Sequence, residues 1–232
     1  MTNASGRPLD AKRAHAIAAA FRPDGRFANR WNYFYTRTKL SSDPLYPAVA
    51  DALRGTHAPL LDLGCGLGLL SHTLREDGIQ VPYRGVDIDA AKIVHAQRIA
   101  ARAGLQGVAF EAMDLGGELP AHRGSVALLD VLQYVDTPAQ VRILDAACAM
   151  LDPGSRLFIR SGLATPGWRP RVSKAFDTLA ARAGWMYSPP RRYPDEALLR
   201  ERLDAAGLRY EIAPLNGNTP FNNWQIVARR DA

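Results

Sequence analysis

Short apolar runs recur at regular intervals along this 232-residue chain. LLDL (60–63), YRGVDI (83–88), GVAFEAMD (107–114), SVALLDVL (125–132) and SRLFIRSG (155–162) each read as a strand. SVALLDVL is apolar enough to be buried on both faces, as an interior strand of a parallel sheet requires. Helical patterns lie between these runs. LGLLSHTLRED follows the first. Asp89 is placed to cap a helix that runs to about Ala103 and is closed by Gly104. After Thr137-Pro138, Val141, Leu144, Cys148 and Leu151 recur at the spacing of one helix face. Strand and helix alternate. The pattern predicts an α/β, doubly wound (Rossmann-like), mostly parallel seven-stranded sheet with right-handed crossovers.

The ends of the chain depart from this rhythm. Residues 10–21 read as a weak helix, and RWNYFYTRTKL (30–40) is aromatic and basic without a clean period. SDPLYPAVADAL reads as a helix with Asp43 as N-cap and Pro44 in its first turn. Residues 1–42 are therefore expected to form an N-terminal lid or cap on a domain spanning 43–232. Residues 163–194, rich in Pro, Arg and Trp, read as a lid insertion with a helix near 171–183. DEALLRERLDAAG is a further helix. LRYEIAPL and FNNWQIVARR, joined by the turn-forming NGNTP, predict an antiparallel C-terminal hairpin at the sheet edge.

The turn after the first strand carries Gly64, Gly66 and Gly68, a G-x-G-x-G pattern. A dinucleotide fingerprint needs G-x-G-x-x-G, and Leu69 stands where its third glycine would be. A phosphate-binding P-loop needs G-K-[ST], which does not follow. Asp62, two residues before Gly64, would repel a pyrophosphate but suits a ligand with a positive group. Asp87 ends the second strand, placed to accept from a ribose diol, and Asp114 follows the third. Singly, Asp87 or Asp114 can merely shape a turn. In this order at successive strand ends they fit an adenosine of cationic character, held outside the carboxyl edge of the sheet.

Composition narrows the setting. Hydrophobic content is 47%, enough for one domain with a substantial core. No apolar run approaches the ~20 residues of a membrane span. The apolar stretch after Arg7, Lys12 and Arg13 is too short for a cleaved signal peptide. Two cysteines without a C-x-x-C, and five scattered histidines, predict neither a disulfide framework nor a metal site. A cytoplasmic location is the default expectation. The net charge of +6 serves solubility or an anionic partner, and no nucleic-acid motif accompanies it.

These residues resemble the class I S-adenosylmethionine-dependent methyltransferases. LLDLGCGLG is similar to that family's first motif, GVDID to the second, EAMDL to the adenine-contacting motif, VALLDVLQYV to the fourth and LDPGSRLFI to the turn into the fifth strand. The resemblance covers about residues 45–230. It implies S-adenosylmethionine as cofactor. Asp62 and the turn of Gly64, Cys65, Gly66 and Gly68 would face the methionine moiety. Asp87 would face the ribose, and Asp114 with Met113 and Leu115 the adenine, with Ile88 a further cofactor-side residue. Asp130 would line the end near the transferred methyl, and Arg37 could pair with the methionine carboxylate. Cys65 fills a turn that needs small residues and Cys148 faces the core.

The acceptor is less legible, because a sulfonium is already activated and the protein mainly aligns and desolvates the partners. The [ND]-P-P-[YFW] motif of nucleobase-amino methyltransferases is replaced here by DVLQYV, and no cysteine nucleophile occupies that region. A small-molecule or acyl-carrier-bound acceptor remains. Trp31, Tyr33, Tyr35, Trp168, Trp185 and Tyr193 offer aromatic surface for it, although they can equally anchor lids. Gln133, Tyr134 and Arg160 complete the candidate substrate side, with Tyr134 the nearest polar candidate for catalysis. YFYTRTKLSSDPLYPAV and NTPFNNWQIVARR also resemble small bacterial methyltransferases of aryl-polyene and xanthomonadin-type pigment clusters. That group often has D-V-L-H-Y where Gln133 stands here, which puts a histidine base in doubt. An RNA-modifying methyltransferase and a non-catalytic cofactor-binding module are the alternatives. The acceptor atom and the oligomeric state are not encoded in any motif.

Overall fold

The computed structural model describes residues 6–25, 29–164, 191–217 and 222–231. Seven strands form one sheet: β1 (Leu60–Leu63), β2 (Tyr83–Asp87), β3 (Val108–Ala112), β4 (Ser125–Leu129), β5 (Arg156–Gly162), β6 (Arg209–Pro214) and β7 (Asn223–Arg229). Their order is β3-β2-β1-β4-β5-β7-β6. The pairs among β1 to β5 are parallel, while β7 pairs antiparallel with both β5 and β6. The chain winds outward from β1 to β3, then returns to place β4 on the other side of β1. That reversal opens a crevice at the carboxyl ends of β1 and β4. The hairpin is antiparallel as expected; β7 pairs with β5, and β6 forms the edge of the sheet.

Among the described residues the helices are α1 (Ala11–Ala19), α2 (Trp31–Ser42), α3 (Leu45–Leu53), α4 (Leu69–Glu76), α5 (Ala90–Arg102), α6 (Thr137–Ala149) and α7 (Glu196–Ala205). Two corrections to the sequence reading appear here. The stretch without a clean period is α2. Tyr33, Thr36 and Leu40 form a buried stripe, while aromatic residues occupy exposed positions and mask the period. Asp43 is not the N-cap of α3. Pro44 holds that position, and Asp43 closes α2 instead, although its carboxylate still accepts the Leu45 N–H at 3.0 Å.

Alternate residues of the strands feed two cores. Leu60, Ala127 and Phe158 pack with the layer of α1, α3, α4 and α5. Leu61, Leu63, Val126, Leu128, Leu157 and Ile159 pack on the opposite face with Ile143, Leu144, Cys148, Leu199 and Leu203 from α6 and α7. Burial on both faces makes the central strands rigid, which lets their ends position a site. Truncating one of these leucines to alanine costs about 2–5 kcal/mol. Helix caps sharpen the strand ends: Asp89 accepts from Ala91 and Lys92 N–H, and Asp136 from Ala139 N–H.

Candidate active site

The turn after β1 is pinned to the end of β2, because Gly64 and Cys65 N–H both donate to the Val86 carbonyl, at 2.8 and 3.0 Å. Gly64, Gly66 and Gly68 have φ of 83°, 55° and 74°, a region that side chains disfavour. Their surroundings differ. A Cβ at Gly64 would collide with Val131, and one at Gly68 would lie 2.6 Å from Phe110. A Cβ at Gly66 would meet nothing within 4 Å. The outer glycines are demanded by the protein's own packing, whereas the middle one borders free space. The Cys65 sulfur packs where a Cβ on Gly85 would come within 2.8 Å of it, and burial pushes its thiol pKa up. It fills space and is not a nucleophile.

Asp62 is 2% exposed. Tyr83 donates its hydroxyl to Asp62 Oδ2 at 2.6 Å, while Oδ1 is buried without a partner. Burial pushes this carboxyl up to about 7, against the Tyr83 hydrogen bond, and the negative charge of Asp87 adds to the rise. An orphaned buried carboxylate oxygen is what the ammonium of a methionine moiety would satisfy. Asp87 accepts from Gly66 N–H at 2.8 Å and Asp89 N–H at 2.9 Å, so its carboxylate is held rigidly with lone pairs left for a diol. Beside it Ile88 is 48% exposed, an apolar surface without a protein partner to cover it. Asp114 is exposed and accepts the Gly116 N–H at 2.7 Å, Met113 is half-buried and Leu115 is buried. Arg142, which the sequence reading missed, donates to the Leu115 and Gly116 carbonyls and braces this loop. These residues fit S-adenosylmethionine: a seat for its ammonium, a cradle that a side chain on Gly66 would fill, and an apolar flank by Ile88.

The other half of the edge is built from charge. Asp130 follows β4 with φ 59°, and among the described residues it is the sole non-glycine in that region. Arg160, 3% exposed, donates from Nε to Asp130 Oδ1 at 2.7 Å and from Nη1 to both Asp43 oxygens, at 2.9 and 2.8 Å. Its Nη2 contacts Asp130 Oδ2. Lys39 Nζ lies 2.7 Å from Asp43 and 3.9 Å from Asp130. Burial works against the charge of Asp43, but Lys39 and Arg160 hold its carboxyl well below the usual range. Arg160 is thus committed to two carboxylates. The sequence reads Asp43 as a helix cap, and nothing in it joins Asp43 or Lys39 to Arg160.

The acceptor-side candidates separate. Trp31 and Tyr35 are exposed and stack with ring centroids 6.4 Å apart. Tyr33 turns away: it is buried, 3.3 Å from His15 on α1, with Arg22 over its ring. Arg37 is exposed. Gln133 is buried; its side chain accepts from Ser161 Oγ at 3.2 Å, and its carbonyl accepts the Arg191 and Arg192 N–H groups. Tyr134 is half-buried in the 3-10 turn Leu132–Tyr134. Tyr193 packs so closely on Gly162 that a Cβ there would come within 2.7 Å of its ring. Trp168, Trp185, the helix near 171–183 and most of the expected insertion lie outside the described residues. Among the described residues no three His, Cys, Asp or Glu gather as metal ligands, and no helix is long and apolar enough to cross a membrane.

Residues 55–181, more than half of the chain, match the family described as "Methyltransferase domain". The chain belongs to this methyltransferase family. Its fold is that of the class I S-adenosylmethionine-dependent enzymes. Relatives include the ubiquinone biosynthesis O-methyltransferases of Xylella fastidiosa (36% identical over 104 residues, 44% of this chain and 41% of the relative). That of Xanthomonas campestris pv. campestris is 30% identical over 121 residues, 52% of this chain and 49% of the relative. The match therefore spans about half or less of these relatives' length. Among solved structures, magnesium protoporphyrin IX methyltransferase from Synechocystis with bound SAH superposes with a TM-score of 0.63 at 21% identity, over 95% of this chain and 94% of that one. A [4+2]-cyclase, SpnF, superposes with a TM-score of 0.64 at 17% identity, over 98% and 100%. At such identities the likeness is one of fold, and a cyclase on the same fold shows that the fold alone does not choose the reaction.

Proposed function

We propose that this methyltransferase domain carries the methyl group of S-adenosylmethionine to a hydroxyl oxygen on a planar, apolar acceptor. That acceptor is an aromatic or polyene-chain small molecule, free or carried on an acyl carrier. The observation that carries the acceptor side is a stripe on α2. Trp31, Tyr35 and Lys39 stand four residues apart, hence on one helix face, and Lys39 ends that face 3.9 Å from Asp130 at the methyl end of the crevice. A flat acceptor can slide along the stacked pair toward the donor. The name of the relatives in Xylella and Xanthomonas supports oxygen as the atom methylated. The resemblance of the end motifs to aryl-polyene and xanthomonadin-type enzymes supports a pigment-like chain and secondary metabolism. In this reading α1 and α2 cover the crevice, and the enzyme works in the cytoplasm.

When bound, the cofactor supplies a methyl on a positively charged sulfur, a good leaving group. The chain's own work is alignment. Asp62 Oδ1 takes the ammonium, Asp87 the ribose diol, and Ile88 with Met113 and Leu115 the adenine side, with Asp114 at its amino group. Asp130 is paired with Arg160 and is not a free base, so the acceptor hydroxyl loses its proton to solvent water, with Tyr134 the polar side chain that would orient it.

The basic charge has a structural explanation that weakens the RNA reading. Arg75, Arg142, Arg156 and Arg230 each donate to main-chain carbonyls, and Arg160 is buried between carboxylates. The test is methyl transfer from labelled cofactor to a panel of hydroxylated aryl and aryl-polyene acids, free and as carrier thioesters, with mixed RNA as the competing substrate. Transfer to RNA, or to nothing while the cofactor binds, would refute this reading.

A further inference from the structure

Arg160 does more than cancel charge. Its guanidinium closes on two carboxylates from different layers: Asp43, at the junction of α2 and α3, and Asp130, at the end of β4. It meets Asp43 with one nitrogen on both oxygens and reaches Asp130 with the other two nitrogens. Lysine, a single point donor, cannot reproduce that grip. Arg160 also accepts the Asp130 N–H on its own carbonyl at 2.8 Å. Main chain and side chain together therefore hold Asp130 at φ 59°, a conformation that persists only where the surroundings enforce it. The next residue, Val131, is the one against which Gly64 of the cofactor turn is packed.

We propose that Arg160 is a positioning residue that couples the cofactor turn to α2. On one side it holds the Asp130–Val131 corner against Gly64; on the other it anchors, through Asp43, the helix that bears Trp31 and Tyr35. Filling the cofactor site then steadies α2, and the acceptor wall is complete only after the donor is bound. The enzyme binds donor first and acceptor second. The inference rests on the functional reading above and adds an order to it.

Hydrogen exchange of the full chain, with and without saturating S-adenosylhomocysteine, tests the coupling. In the wild type, exchange is expected to slow in both the turn (60–68) and α2 (31–42). In Arg160→Lys the turn keeps its protection and α2 loses more than two thirds of its response. Should Arg160→Lys fail to fold, Asp43→Asn is expected to give the same split, since it retains one acceptor for the arginine. A wild type in which the turn responds and α2 does not overturns the coupling, as does a variant in which both respond as before. Leu199→Ala, on the opposite face of the sheet, controls for lost stability: loss of the α2 response there as well also overturns the proposal. No response in either wild-type segment brings down the cofactor reading, and the coupling with it.

Discussion

The two halves of the carboxyl edge are held by different forces. Around β1, β2 and β3 the site is backbone: tight turns, N–H groups and short carboxylates that accept from them. Its partners lie close in sequence, as Gly66 and Asp87 do, 21 residues apart. Around β4 and β5 it is side-chain charge, joined by a pair 117 residues apart, Asp43 and Arg160. Local backbone geometry suits a constant ligand, because it tolerates little change. A long-range charge cluster joins separate elements and lets the helix it anchors vary its outward face.

The comparison can be broken most sharply at its charged half. Arg160→Met leaves two carboxylates with Lys39 alone, and removing one partner of a buried pair costs about 3–5 kcal/mol. Urea unfolding should show that loss in the midpoint; a loss under about 1 kcal/mol would mean that the cluster is solvated. At the backbone half, Gly66→Val should cost the fold only the backbone strain of its φ of 55°, because no protein atom stands where its Cβ would go. It should nonetheless weaken S-adenosylhomocysteine binding by about 100-fold or more, about 2.7 kcal/mol in calorimetry. Gly64→Val should do the reverse of sparing the fold, since Val131 occupies that space.

A subtler effect concerns Asp62. Its folded pKa, about 7, is raised, so it contributes stability to the free protein in its protonated form and loses that contribution as pH climbs through about 7. A ligand ammonium favours the ionised form instead. S-adenosylhomocysteine affinity should therefore rise with pH up to about 7 and level off above it, changing by about tenfold per unit below. Asp62→Asn should flatten this profile and stabilise the free protein at pH 8. A flat wild-type profile between pH 5 and 8 would count against the assignment. The smallest effect belongs to the α2 stripe. Trp31→Ala should leave cofactor affinity unchanged and raise the KM for an aryl acceptor about 3–10-fold. A change in cofactor affinity instead would place Trp31 on the wrong side of the crevice.

The sheet, its crossovers and the closing hairpin were legible because each follows from the local alternation of apolar runs, caps and glycines. The acids at the strand ends were legible for the same reason. α2 was not, since its exposed aromatics hide the helical stripe. Neither was the role of Arg142, whose partners are carbonyls and leave no mark on a side-chain pattern. Arg160 looked like a substrate contact because an arginine at a strand end is usually free to reach a ligand. Only the packing of α3 against β5 brought Asp43 to it.

By itself, then, the sequence determined the winding of the sheet, the glycine turn after β1 and the acids at the strand ends beside it. Hydrogen bonds to backbone and the period of burial act over a few residues, so they are written in order. The tertiary structure decided which glycine borders free space, which aromatics face outward and which carboxylates Arg160 holds. These depend on distances between segments far apart in the chain, and such distances exist only once the two cores have closed on the sheet.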